Sequence, residues 1–234
     1  MPNPQSEDTG RRALIESLRG GLIVSCQARP ENPFYGPHFM AAFAMAAEMA
    51  GAVGLRVNAE ADVRAVAQVT SLPIIGINKL RTAEWPVYIT PTLAAAREVV
   101  EAGASIVAVD ATHRPRVGGL SPEELIACIR SDLGVPVMAD VDSTEEGMAA
   151  AEAGADLVAT TMAGYTGARP ATDGPDPALV KALAQQIDVP LICEGRIRNP
   201  QDMAAAFTAG AYAVVVGTAI TNPLAIAQIF VEAT

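Results

Sequence analysis

The tripeptide Ala-Gly-Ala occurs four times in this chain, beginning at Ala50, Ala102, Ala153 and Ala209. The spacings are 52, 51 and 56 residues, and each copy leads into a short apolar run. Glycine enters the left-handed region without a Cβ penalty, so it marks where a helix stops. The runs that follow read as strands at Val53–Arg56, Ile106–Asp110, Leu157–Thr160 and Val214–Gly217. Three further strands fall between them, at Pro73–Lys79, Pro136–Asp140 and Pro190–Glu194. Each opens on proline, which costs no ladder hydrogen bond at a first strand position. Leu22–Gln27, after Gly20-Gly21, brings the number to eight. The runs are apolar without alternation, as parallel strands buried on both faces must be.

The segments between strands carry helix starts. Helices are predicted over His38–Ala50 and Glu60–Thr70. Ser121-Pro122-Glu123-Glu124 and Ser143-Thr144-Glu145-Glu146 read as capping boxes. Thr90-Pro91, Asp176-Pro177, Asn199-Pro200 and Asn222-Pro223 each place a capping residue before a proline at the first helical position. Eight strand-helix units in regular pairs predict an α/β fold: a single (β/α)8 TIM barrel, eight parallel strands with outer helices. The competing open doubly wound sheet would not demand such regular pairing. The length of 234 residues suits one barrel, for which about 250 is typical. Residues 1–10 are polar and are expected to be a frayed extension, leaving 11–234 for the barrel.

Half the residues are hydrophobic and 18% are charged, which excludes a disordered chain. A net charge of −10 and a pI near 4.6 leave no basic stripe for nucleic acid. An anionic small molecule would have to be gripped locally rather than steered by the whole surface. Cys26, Cys128 and Cys193 are odd in number and lack metal-ligand spacing, so they read as free thiols in a reducing compartment. No apolar run approaches the roughly 18 residues of a membrane span, and Met1–Arg12 has no signal-peptide core. A cytoplasmic protein is expected.

The segments after strands are long, at Ala28–Pro37, Leu80–Ile89, Ala111–Leu120 and Met162–Pro175, whereas those after helices shrink to a turn. In a barrel the long set lies at the C-terminal face, where active sites are built. The strand ends there are Ser25-Cys26-Gln27, Arg56-Val57-Asn58, Asn78-Lys79, Asp110-Ala111-Thr112, Asp140, Thr160-Thr161, Glu194-Gly195-Arg196 and Gly217-Thr218. Eight polar or glycine-containing ends converging on one rim exceed what solubility requires. Lys79 stands out, since only Lys79 and Lys181 are lysines among 16 basic residues. A desolvated lysine can shift its pKa and act as a base, which arginine cannot.

Seven stretches resemble the N-acetylmannosamine-6-phosphate 2-epimerases of amino-sugar and sialic acid breakdown. They are Gly21-Leu-Ile-Val-Ser-Cys-Gln27, Gly51-Ala-Val-Gly-Leu-Arg56, Ile74-Ile-Gly-Ile-Asn-Lys79, Val87-Tyr-Ile-Thr-Pro-Thr92, Val137-Met-Ala-Asp140, Glu194-Gly-Arg-Ile197 and Val214-Val-Val-Gly-Thr-Ala-Ile-Thr221. The resemblance implies inversion at the carbon bearing the acetamido group, next to the aldehyde of an open-chain sugar phosphate. It implies Lys79 as the catalytic lysine, Glu194 as the carboxylate beside it, and Gln27, Arg56 and Asp140 as residues that hold the sugar. It implies no metal or organic cofactor, and it suggests a homodimer. The phosphate is expected between the last two rim loops, at Gly195-Arg196 and Gly217-Thr218. The chain departs from the family pattern at Asn222, where an arginine is usual, and at Ala59, where a glycine is expected after Asn58. Two rivals are a Schiff-base aldolase on the same barrel and a sugar-phosphate-binding barrel without catalysis.

Other candidates have plainer readings. His38 and His113 lack ligand partners at metal spacing and read as structural or solvent-facing. Strand parity turns Cys26 and Cys193 outward if Gln27 and Glu194 point in. Met40, Met45 and Met49 read as helix core. Asp110 and Thr112 are open between loop capping and substrate contact.

Overall fold

In the computed structural model the backbone is described over residues 4–233, with side chains from residue 9. The elements are α1 (Pro4–Glu16), β1 (Leu22–Cys26), α2 (Pro37–Met49), β2 (Gly54–Asn58), α3 (Glu60–Ala67) and β3 (Ile74–Ile77). Then come α4 (Leu93–Glu101), β4 (Ile106–Asp110), α5 (Pro122–Leu133), β5 (Val137–Asp140), α6 (Thr144–Glu152) and β6 (Leu157–Ala159). The chain ends with α7 (Pro177–Ala184), β7 (Leu191–Glu194), α8 (Pro200–Thr208), β8 (Ala213–Val216), α9 (Thr218–Thr221) and α10 (Pro223–Glu232). The eight strands pair in sequence order, all parallel, and β8 closes on β1. The (β/α)8 barrel expected from the repeat is the fold.

The repeat glycines stop helices as expected: Gly51, Gly103, Gly154 and Gly210 have φ of 87°, 116°, 94° and 110°. Pro73, Pro136 and Pro190 lie one residue before their strands, and their carbonyls accept from Leu55, Val107 and Val158 of the neighbouring strand. Each proline thus joins the ladder as an acceptor where no donor is needed.

Strand parity divides the apolar residues into two cores. Ile23, Ile75, Ile77, Ile106, Met138, Leu157, Ile192 and Val215 fill the barrel interior. Val24, Cys26, Leu55, Val57, Ile74, Val107 and Cys193 face the helices. Each fully buried aliphatic side chain contributes roughly 1.5–3 kcal/mol. Gly76 points outward, and a Cβ there would stand 2.6 Å from Ala104 Cβ and 3.1 Å from Val99 Cβ. That close approach lets α4 lie against β3. The two thiols are outward and inert, with burial pushing Cys26 up to about 12 and Cys193 to about 11.

Several local expectations are corrected. Of the extension expected over residues 1–10, residues 1–3 lie outside the described residues, and the backbone is helical from Pro4. Beyond α1, Leu18 is fully buried, and with Leu14 and Ile15 it packs against the interior core near Ile23. Thr90 caps no helix: α4 begins at Leu93 with Thr92 as its cap, while Thr90 has φ 43°. The buried Thr90 instead accepts from Asn78 N through Oγ1 and donates its own N–H to Asn78 O. Ser121 and Glu124 form the full capping box, but Ser143 caps alone. Glu146 turns aside there to accept from the backbone N–H groups of His113 and Asp142. Met40 is fully buried, whereas Met45 and Met49 are exposed rather than core.

Candidate active site

Three strand ends meet inside the rim. Arg56 on β2 is the largest fully buried side chain, 1% exposed. It donates from Nη1 and Nη2 to the two oxygens of Asp140 at 3.0 and 2.5 Å, and from Nη1 to Glu194 Oε2 at 2.8 Å. Asp140 on β5 has no exposed surface, and the Glu194 side chain on β7 is 15% exposed. Burial works to lower the Arg56 pKa, but the Asp140 carboxylate beside it more than offsets this and holds the guanidinium charged. Its Nε is buried without a partner, so one strong donor in the network is unspent.

Glu194 is fixed from the neighbouring strand. Thr160, in the single 3-10 turn that follows β6, accepts from Glu194 N and donates to Glu194 O. The next residue, Thr161, lies 2.6 Å from Asp140 Oδ1 and 3.1 Å from Glu194 Oε2. Burial raises the Glu194 pKa, against the pull of Arg56.

Lys79 lies two residues beyond β3, where it forms an antiparallel bridge with Ile89. Its backbone N–H donates to Asn58 Oδ1 at 3.0 Å, which ties it to the end of β2. Ala59 follows with φ 71° and ψ 149°, a strained backbone for a residue with a Cβ, and its N–H reaches Ile77 O. The Lys79 amine donates to Gln27 Oε1 at 2.6 Å, and Gln27 Nε2 donates to Ser25 Oγ at 2.7 Å. Burial first, and then the Arg56 charge, lower Lys79 to about 8, while Glu194 works the other way. Near that pH an appreciable share of Lys79 is free amine, able to accept a proton. Glu194 lies within electrostatic reach of Lys79, as the resemblance implied, while its hydrogen bond goes to Arg56 and that of the amine to Gln27.

The remaining rim residues divide by task. Arg196 has φ 55°, and its nitrogens donate to Gly174 O, Ala163 O and Thr172 Oγ1 in the loop after β6. Three of its five N–H groups are therefore engaged by that loop. Asn222 caps α10 by accepting from Ala225 N and also accepts from Asn32 Nδ2. Gly217 precedes the four-residue α9, beside Thr218 and against Ser25 on β1. Asp110 and Thr112 cap their own loop, with Arg114 on Asp110 Oδ2 and Arg116 on the carbonyls of both. His113 pairs with Glu123 at 2.8 Å. Among the described residues no group of three or more His, Cys, Asp and Glu side chains is placed to hold a metal ion. Sequence reasoning passed over Thr161 and Ser25, whose signal was only their position at strand ends aimed at the same rim.

Fold and rim together are those of a (β/α)8-barrel enzyme, with its polar machinery at the C-terminal ends of the strands. Residues 40–234 match the NanE family, described as "Putative N-acetylmannosamine-6-phosphate epimerase". Two relatives named "Putative N-acetylmannosamine-6-phosphate 2-epimerase" are similar over nearly the whole chain. The one from Cutibacterium acnes is 49% identical over 94% of this chain and 96% of its own length. The one from Caldanaerobacter subterraneus subsp. tengcongensis is 46% identical over 93% and 92%. The solved N-acetylmannosamine-6-phosphate 2-epimerase from Clostridium perfringens superposes with a TM-score of 0.91 at 36% identity, covering 94% of this chain and 96% of that one. The chain belongs to the N-acetylmannosamine-6-phosphate epimerase family.

Proposed function

We propose that Lys79 carries the proton in the reaction of this family, the 2-epimerisation of N-acetylmannosamine 6-phosphate to N-acetylglucosamine 6-phosphate. The observation that carries this reading is the part-buried Lys79 amine at the barrel rim, 2.6 Å from Gln27 Oε1, with burial and the Arg56 charge lowering its pKa to about 8. The neutral amine takes the proton from C2 of the open-chain sugar, becoming an ammonium, and the aldehyde oxygen takes up the negative charge as the enolate forms. A proton delivered to the opposite face from the ammonium, whose N–H protons exchange with solvent, completes the inversion. Gln27 and Arg56 are donors suited to the developing oxyanion, with the unspent Arg56 Nε in the same network. Asp140 acts through Arg56, because both its oxygens are taken up by the guanidinium.

The substrate class is an amino-sugar phosphate. With three Arg196 N–H groups held by its loop, the phosphate grip falls chiefly to backbone N–H groups of Gly195-Arg196 and Gly217-Thr218. Such charge-assisted bonds are worth about 1.5–3 kcal/mol each, so loss of two predicts a kcat/KM about 10²- to 10⁴-fold lower without the phosphate. NMR in deuterium oxide compares N-acetylmannosamine with its 6-phosphate, and the expected result is label at C2 without cleavage. Inactivation by borohydride in the presence of substrate would instead mark a Schiff-base aldolase.

This reaction belongs to amino-sugar and sialic acid breakdown, and a cytoplasmic protein is the reading that goes with it. Among the described residues no helix is long and apolar enough to cross a membrane. A homodimer fits α10, an apolar helix with no buried residue, on which Ile229 and Phe230 are 63% and 73% exposed. Sedimentation should give a dimer that Phe230→Lys converts to monomer; a monomeric wild type rejects this.

A further inference from the structure

The Thr161 hydroxyl stands between two carboxyl groups and has one proton to give. It lies closer to Asp140 Oδ1, at 2.6 Å, than to Glu194 Oε2, at 3.1 Å. Asp140 accepts from Arg56 through both oxygens and has no exposed surface, the arrangement of an ionised carboxylate. A carboxylate so held takes the hydroxyl proton, and Thr161 then presents a lone pair to Glu194. Two oxygens at 3.1 Å with no proton between them repel; a proton on Glu194 Oε2 turns the contact into a hydrogen bond. We infer that Thr161 holds Glu194 as the neutral carboxylic acid and thereby leaves Lys79 as the free amine.

The groups within electrostatic reach of Glu194 are Arg56 from β2, Lys79 beyond β3, Asp140 from β5 and Thr161 after β6. Arg56 and Asp140 compensate each other as a salt bridge; Arg56 Nη1 also donates to Glu194 Oε2 at 2.8 Å, a pull toward the ionised form that burial and the Thr161 lone pair together outweigh. When Lys79 and Glu194 together hold one proton, it rests either on the amine, as an ion pair, or on the carboxyl, as two neutral groups. The two states differ only in the position of that proton. The Thr161 lone pair stabilises the second state, in which Lys79 can accept a proton from carbon. Thr161 is thus a positioning residue acting through Glu194, and the inference rests on the proton-transfer reading of Lys79. Burial of Glu194 favours the same state.

Infrared difference spectroscopy of the substrate-free protein near pH 8 tests this without any turnover. An ordinary glutamate is ionised there, far above its usual pKa of about 4.3. The expected result is a carboxylic-acid carbonyl band that Glu194→Gln abolishes, Thr161→Val removes and Thr161→Ser restores. In parallel, Thr161→Val should lower kcat by about tenfold with little change in KM, and Thr161→Ser should recover it. A wild type without the Glu194 band, or a folded Thr161→Val that keeps it, overturns the inference. Failure of the Lys79 reading would show separately, as a Lys79→Ala variant that still epimerises while the band is present.

Discussion

Two threonine hydroxyls at the same rim meet buried aspartates, and they live in opposite circumstances. Thr112 Oγ1 donates to Asp110 at 2.6 Å and accepts from Arg114 Nε at 2.9 Å, so one proton and one lone pair are each used once. Thr161 Oγ1 donates to Asp140 at the same distance but faces a second carboxyl, with no N–H donor in its place. Around Asp110 the donors and acceptors match, and the cluster closes a loop. Around Asp140 the same kinds of residue leave a mismatch: an orphan Arg56 Nε, two carboxyls on one hydroxyl, and an amine of lowered pKa nearby. A satisfied cluster stabilises; an unsatisfied one at a barrel mouth is where chemistry is placed.

The largest way to break the comparison is Arg56→Met. It leaves the buried Asp140 carboxylate without its cation, and a stability loss of about 3–5 kcal/mol is expected in urea unfolding, together with loss of epimerisation. Asp110→Ala is its counterpart in the satisfied cluster. It should cost about 1–3 kcal/mol while the folded variant keeps wild-type kcat/KM; a large fall in kcat/KM would merge the two regions into one site. The smallest effect is the pH dependence of stability. With Lys79 at about 8 when folded and about 10.4 when unfolded, the unfolded chain binds more protons between those values. Stability contributed by Lys79 therefore rises with pH across that window, and Lys79→Met should flatten the rise. Activity should climb with pH through about 8 as the amine is freed.

The barrel was legible because its signals are local. Glycines at helix ends, prolines before strands and unbroken apolar runs each declare one element, and period-two parity then assigns Ile75 and Ile77 to the interior and Gly76 to the helices. Rim membership was legible for the same reason: Gln27, Lys79, Asp140 and Glu194 sit at or just past strand ends, and Arg56 lies two residues before the end of β2. Pairing within the rim was not. Long side chains from β2, β5 and β7 reach across the barrel, and nothing local says that Glu194 meets Arg56 rather than Lys79. Thr90-Pro91 misled because a helix-start dipeptide was used to fold the loop after β3 back onto Asn78. The loop bonds of Arg196 were not legible because its carbonyl partners at Ala163 and Gly174 lie 33 and 22 residues away in sequence.

The central claim is that the Lys79 amine moves the C2 proton. The direct measurement is exchange of that proton with deuterium oxide in N-acetylmannosamine 6-phosphate, followed by NMR for wild type and Lys79→Ala side by side, with circular dichroism confirming the fold of both. Exchange and epimerisation should fall together in Lys79→Ala, by on the order of a thousandfold. A folded Lys79→Ala that exchanges the C2 proton at the wild-type rate would contradict the account.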